Sequence, residues 1–168
     1  MMLEIAFDAD EEWDSSRRWE PLVRKAAEAA IAESAFPDLM DSDRAIEMSV
    51  TLTGDEEVQA LNAKWRGKDK PTNVLSFPMA DDLDFARSNV AGPELLLGDI
   101  ILAHGVCAAE AAEKGVSFEQ HATHLLVHGM LHLLGYDHQE DAQASDMEAR
   151  EVKALARLGI ANPYEVTA

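Results

Sequence analysis

The sequence predicts an α+β fold, a small mixed four-stranded sheet packed with about five helices. Three observations predict it. Some segments carry apolar residues at helical spacing, and others alternate strictly between apolar and polar residues. The resulting order, β-α-β-α-β-β-α-α-α, lacks the regular alternation of a doubly wound sheet. Residues 2–7 alternate weakly and open the sheet. From Trp19, the positions Leu22, Val23, Ala26, Ala27, Ala30 and Ile31 form an amphipathic helix that ends near Phe36-Pro37. Ile46, Met48, Val50 and Leu52 then alternate with polar residues, the pattern of a half-buried strand. Val58, Leu61 and Trp65 mark a short helix stopped by Gly67, and Trp65 is expected in the core by that spacing. Residues 73–77 form a short strand closed by Pro78, residues 80–93 an acidic loop, and residues 95–102 a buried strand. Three helices follow: residues 103–114, a segment capped by Ser117 with Gln120 that runs to about Leu134, and residues 143–158.

The 168 residues suit one domain spanning 1–168, and a hydrophobic share of 47% is enough for a substantial core. With 14 Lys+Arg against 32 Asp+Glu, the formal net charge is −18. Such a chain does not coat nucleic acid or anionic membrane indiscriminately, so any phosphate contact needs a local basic patch. The lone cysteine, Cys107, excludes an internal disulfide framework. The acidic N-terminus lacks a signal pattern and no apolar run is long enough for a membrane span, so the expected location is the cytoplasm.

Five of the six histidines fall between His121 and His138. His128 and His132 stand at i, i+4, which puts both imidazoles on one helical face within reach of one metal ion. Continuing the helix moves about 5.4 Å per turn, so a third ligand requires the chain to turn back. Gly135 suits that turn, and it delivers His138. The string H-x-x-x-H-x-x-G-x-x-H has the ligand and glycine spacing of metzincin zinc sites. Three neutral imidazoles leave one tetrahedral position open, as in a catalytic Zn2+ site, although nickel, copper and iron also accept imidazole. His124 competes as a ligand, but His124, His128 and His132 spread over about 12 Å of helix, so His124 is assigned to packing or support. His121 and His104 are not expected to be ligands. Zinc peptidases carry a glutamate directly after the first histidine, and here that position is Gly129. Peptide hydrolysis is therefore disfavoured, and a glutamate restored there is expected to set a carboxylate beside the metal. Asp137, Glu140 and Asp141 are the nearby alternatives for a base, in turn and helix-start positions where acidic residues are common anyway.

Lys64-Trp65-Arg66-Gly67-Lys68-Asp69-Lys70 places four of the fourteen cationic residues in seven positions. Cations at a helix end are ordinary. In so acidic a chain, however, the cluster makes Arg66, Lys68 and Lys70 the candidates for binding phosphate, Arg66 through its planar fork. Trp65 has base stacking as the alternative to core packing.

These segments resemble the YbeY family of bacterial rRNA maturation factors and endoribonucleases. The resemblance rests on residues 128–138, on the run from Leu61-Asn62 through Trp65-Arg66 to Pro78, on Leu97-Gly98-Asp99-Ile100, and on Gly159 to Tyr164. It spans about residues 46–164. Trp65 stands where the family often has Tyr. The resemblance implies an α+β fold related to zinc-metalloprotease folds and a metal-dependent hydrolase of single-stranded RNA. That activity belongs to rRNA processing at the 3′ end of small-subunit rRNA, with the small ribosomal subunit as partner and DNA not expected. It implies His128, His132 and His138 as Zn2+ ligands and Arg66 as the functional arginine, and glycine at 129 is then the family's own residue. RNA as substrate comes from the resemblance alone. The alternatives are a zinc peptidase or amidase, and a ribosome-assembly factor with a structural metal.

Overall fold

Four strands, β1 (Leu3–Ala9), β2 (Ile46–Thr53), β3 (Val74–Pro78) and β4 (Leu95–Ala103), form one sheet in the order β1-β2-β4-β3. The computed structural model describes residues 3–14, 18–42, 44–86 and 92–164. β1, β2 and β4 run parallel, and β3 is an antiparallel edge strand against β4. Parallel neighbours need crossovers. The helix α1 (Trp19–Ala32) supplies the first, while α2 (Asp55–Arg66), β3 and the one-turn α3 (Asp82–Ala86) lie between β2 and β4. The chain then continues through α4 (His104–Lys114), α5 (Phe118–Leu133) and α6 (Asp141–Arg157).

The sheet is α+β and mixed, as the sequence predicts. Two short elements escape the pattern, a 3-10 turn at Pro37–Asp41 and α3 inside the expected acidic loop; α3 brings the described α-helices to six instead of about five. One turn is too short to display a periodicity. Met2 and residues 87–91 of that loop lie outside the described residues.

β2 keeps its alternation, burying Ile46, Met48 and Val50 while Glu47, Ser49 and Thr51 stay half-exposed. β4 carries a bulge. Its register passes from Glu47 opposite Leu96 to Met48 opposite Gly98, leaving Leu97 as the extra residue. The side chains directed to the main core therefore change parity, from Leu95 and Leu97 to Ile100 and Leu102. That switch is why the segment reads as an almost continuous apolar run.

The two faces of the sheet are unequal. α1, α5 and α6 bury one face in the main core, which includes Val50, Ile100, Leu102, Met130 and Leu155. On the other face, α2 covers a small cluster of Val58, Leu75, Ile101 and Ala103, with Leu61, Phe77 and Val106 packed beside it. The edge strand β3 thus lies between α2 on one face and α5 on the other. No helix among the described residues is long and apolar enough to cross a membrane.

Candidate metal centre

α5 is fixed at both ends by its sequence. At its start, the Ser117 hydroxyl accepts from Gln120 N at 3.1 Å and the Gln120 side chain accepts from Ser117 N at 3.3 Å, a reciprocal capping box. At its end, Tyr136 N donates to Leu131 O and Gly135 N to His132 O, both at 3.0 Å. Gly135 has φ of +98°, a conformation that costs side-chain-bearing residues, and this paired closure turns the chain sharply. The turn carries His138 back toward the helix face that holds His128 and His132. Asp137 Oδ1 accepts the backbone N–H of His138 at 2.7 Å and secures the return.

The three imidazoles converge. One ligand atom from each of His128, His132 and His138 lies within 4.8 Å of the others. The Nε2 atoms of His128 and His132 are 3.1 Å apart. Two nitrogens on a tetrahedral zinc, each at about 2.0–2.1 Å, stand about 3.3 Å apart, so the pair fits one ion. Burial, and then the neighbouring His128 and His138, push the His132 imidazole down to about 4, so it is neutral near pH 7 and available as a ligand. His124 is not part of this group; one turn earlier on α5, its ring joins a different partner.

That partner is Glu151, a fully buried carboxylate on α6. It accepts from His128 Nδ1 at 2.5 Å, from His124 Nε2 at 3.1 Å and from the Tyr164 hydroxyl. Burial alone would raise the Glu151 carboxyl, but these three hydrogen bonds outweigh it and hold the group at about 2. An ionised carboxylate only accepts, so His128 must donate through Nδ1. Its Nε2 lone pair then faces the other histidines, the tautomer a metal ligand needs. Tyr164 loses acidity through burial and through the adjacent carboxylate, so its proton stays in place to donate.

Glu151 does not stand out in the sequence, and Tyr164 enters it only as the end of the tail that resembles the YbeY family. The available signal was position: Met147, Glu151, Ala154 and Leu155 make one buried stripe on α6, and a glutamate in an apolar stripe needs partners. Glu151→Gln is expected to keep the fold but lower metal affinity about 10- to 100-fold, because an amide can donate to His128 and favour the wrong tautomer. A metal titration of the variant beside the wild type checks this, and equal affinity would reduce Glu151 to a packing group.

The basic segment meets the histidines in space. A cleft of about 580 Å³ is lined by Arg66, Lys68 and Lys70 on one side and by His128, His132 and His138 on the other, with β3 residues such as Ser76 between them. Gly67 ends α2 through Gly67 N to Ala63 O and Lys68 N to Asn62 O, both at 3.2 Å. Asn62 Nδ2 donates to Lys70 O at 2.9 Å and Gln59 Nε2 to Asp69 Oδ1 at 3.0 Å, so the cationic loop is fastened back on α2. Asn73, where the loop enters β3, donates to Glu110 Oε1 at 3.0 Å, and Glu110 also pairs with the buried His121 at 2.8 Å. Of the three carboxylates weighed as alternative bases, Asp137 lines the cleft, whereas Glu140 and Asp141 cap and start α6.

The model of the family described as "Endoribonuclease YbeY" matches residues 5–159. The chain belongs to this family. The YbeY protein of Rhizorhabdus wittichii, named "Endoribonuclease YbeY", is 53% identical over 167 residues, covering 99% of both chains. The protein of the same name from Sphingopyxis alaskensis is 52% identical over 164 residues, covering 97% of this chain and 98% of its own. The solution structure of TM1509 from Thermotoga maritima shares the fold, with a TM-score of 0.54 at 24% identity over 93% of this chain and 92% of that one.

Within this YbeY-family chain, two expectations need correction. Trp65 is not core: it is 63% exposed. The apolar cluster under α2 ends at Leu61, and the last turn of the helix runs beyond it toward the cleft. Gly129 does not face the metal centre either. A Cβ there would stand 3.1 Å from Ile100 Cγ2, so the residue marks close packing of α5 on β4. A side chain at the position of the peptidase glutamate would start out toward Ile100 on the sheet.

Proposed function

We propose that this chain is a metal-dependent endoribonuclease that cleaves single-stranded RNA in the cleft between α5 and the loop after α2. Its setting is the cytoplasm, where it matures the 3′ end of small-subunit rRNA in contact with the small ribosomal subunit, as one domain over 1–168. Family membership supports the activity. The observation that carries the reading is the meeting of a three-histidine centre with Arg66, Lys68 and Lys70 in one cleft of a protein whose net charge is −18. A long-range field of that sign repels RNA, so binding must rest on a few placed cations.

His128, His132 and His138 would hold the metal, with Zn2+ suited to three neutral imidazoles, and when bound it supplies Lewis acidity at a phosphoryl oxygen. Glu151 keeps the His128 lone pair directed inward, and Asp137 holds the backbone at His138. Arg66, across the cleft, binds the phosphoryl oxygens and offsets the charge that builds in the transition state. Lys68 and Lys70 hold flanking phosphates. Glycine at 129 leaves the position directly after the first histidine without the general base of the zinc peptidases, which disfavours the peptidase alternative.

The test is single-turnover cleavage of one unstructured RNA, with metal content measured on the same samples. Arg66→Ala is expected to keep metal and fold and to lose cleavage about 10- to 150-fold, the equivalent of about 1.5–3 kcal/mol for one charge-assisted phosphate contact. Arg66→Lys recovers only part, since an ammonium keeps the charge but not the fork. Lys68→Ala mainly weakens binding and flattens its salt dependence. Wild-type rates from metal-replete Arg66→Ala would remove the phosphate clamp from the account.

A further inference from the structure

We propose that Trp65 is a stacking platform for one unpaired nucleobase of an RNA strand whose phosphates lie along Arg66, Lys68 and Lys70. The proposal rests on the endoribonuclease reading and adds a base contact that the reading does not contain. Trp13 and Trp19 are 1% and 4% exposed, whereas Trp65 is 63% exposed, the largest value among the exposed large apolar side chains described. An indole left in water forgoes the stabilisation that burial would give it, which makes its placement informative.

The placement is specific. Trp65 precedes Arg66 and follows Asn62 by three positions, and both of those residues line the cleft. The indole therefore leaves the same last turn of α2 that presents the guanidinium. Lys64 Nζ lies 5.0 Å from the Trp65 ring centroid, so the ring carries an ammonium as well as its free surface. An aromatic face among four cations in an otherwise acidic protein is complementary to a ligand that is both polyanionic and aromatic, and a single nucleic-acid strand is both. Gly67 and the bonds from Asn62 to Lys70 and from Gln59 to Asp69 hold the loop of Lys68 and Lys70 against the helix that carries Trp65.

The experiment is single-turnover cleavage of a short unstructured RNA by metal-loaded protein, varying protein concentration, for wild type, Trp65→Ala and Trp65→Phe. Trp65→Ala is expected to raise the half-saturating concentration about 5- to 150-fold with little change in the plateau rate, the range for losing one base–aromatic stack. Trp65→Phe should recover most of that affinity. Indole fluorescence should be quenched on mixing wild type with RNA and unchanged in both variants, since the other two tryptophans are buried. The salt dependence of Trp65→Ala should keep the wild-type slope, because stacking neutralises no phosphate. Unchanged saturation in Trp65→Ala, or wild-type cleavage without quenching, overturns the proposal and leaves the endoribonuclease reading standing. A lost salt slope in Trp65→Ala also overturns it, making Trp65 a support for Lys64. Wild-type protein that cleaves no RNA removes both.

Discussion

Alanine at His128, His132 or His138 is expected to strip the centre of its metal and abolish RNA cleavage, while His124→Ala keeps the metal. The three ligand atoms lie within 4.8 Å of one another and two imidazoles do not close a site, so each loss counts in full. His124 acts through Glu151, and its loss leaves that carboxylate with His128 and Tyr164 as donors. Metal that binds only the folded chain stabilises it by about 2.7 kcal/mol at a free concentration one hundred times Kd. For a chain of this size that is a rise in Tm of about 5–10 °C, which the ligand variants should fail to show. Metal content per chain and melting with and without added metal, on four variants, decide the matter. A metal-replete His138→Ala beside a metal-free His124→Ala would mean that the third ligand lies on α5 and not beyond the turn.

Gly129→Glu is expected to unfold the protein or leave it close to unfolding. Even a methyl group at 129 would sit 3.1 Å from Ile100 Cγ2, tighter than ordinary packing, and overfilling such a contact costs about 1–3 kcal/mol. A carboxylate driven into the same space has no partner there and adds several kcal/mol more. The sum approaches the whole stability of a typical domain, about 5–15 kcal/mol. The reason differs from the one the sequence offered, which placed a new carboxylate beside the metal. Denaturant melts of Gly129→Ala and Gly129→Glu test the distinction. A Gly129→Glu protein as stable as wild type would show that position 129 opens to the cleft after all.

The histidine centre was legible because its parts are local: two ligands one turn apart on a helix, a glycine in the left-handed region, and a third ligand three residues on. The helical and alternating segments were legible for the same reason, since each displays its own period. Contacts between separate elements were not. Arg66 shares a cleft with the histidines because β3 is an edge strand between α2 and α5, and no spacing in the sequence states that order. Glu151 arrives from α6 and Tyr164 from the tail beyond it; the resemblance covers Tyr164, but no spacing in the sequence ties either residue to the histidines. Trp65 shows the opposite failure. Its helical register with Val58 and Leu61 is real, but a period gives the face of a helix and not the point at which the core beneath it ends.

The central claim is that the histidine centre and the cationic wall opposite it form one site for cutting RNA. It is tested most directly by following the single-turnover cleavage rate of one unstructured RNA as chelated, metal-free protein is titrated with Zn2+. The account predicts no cleavage without metal, a rate that rises in proportion to bound ion, and a plateau at one equivalent per chain. Full-rate cleavage by metal-free protein, or a metal-replete protein that leaves the RNA intact, would contradict it.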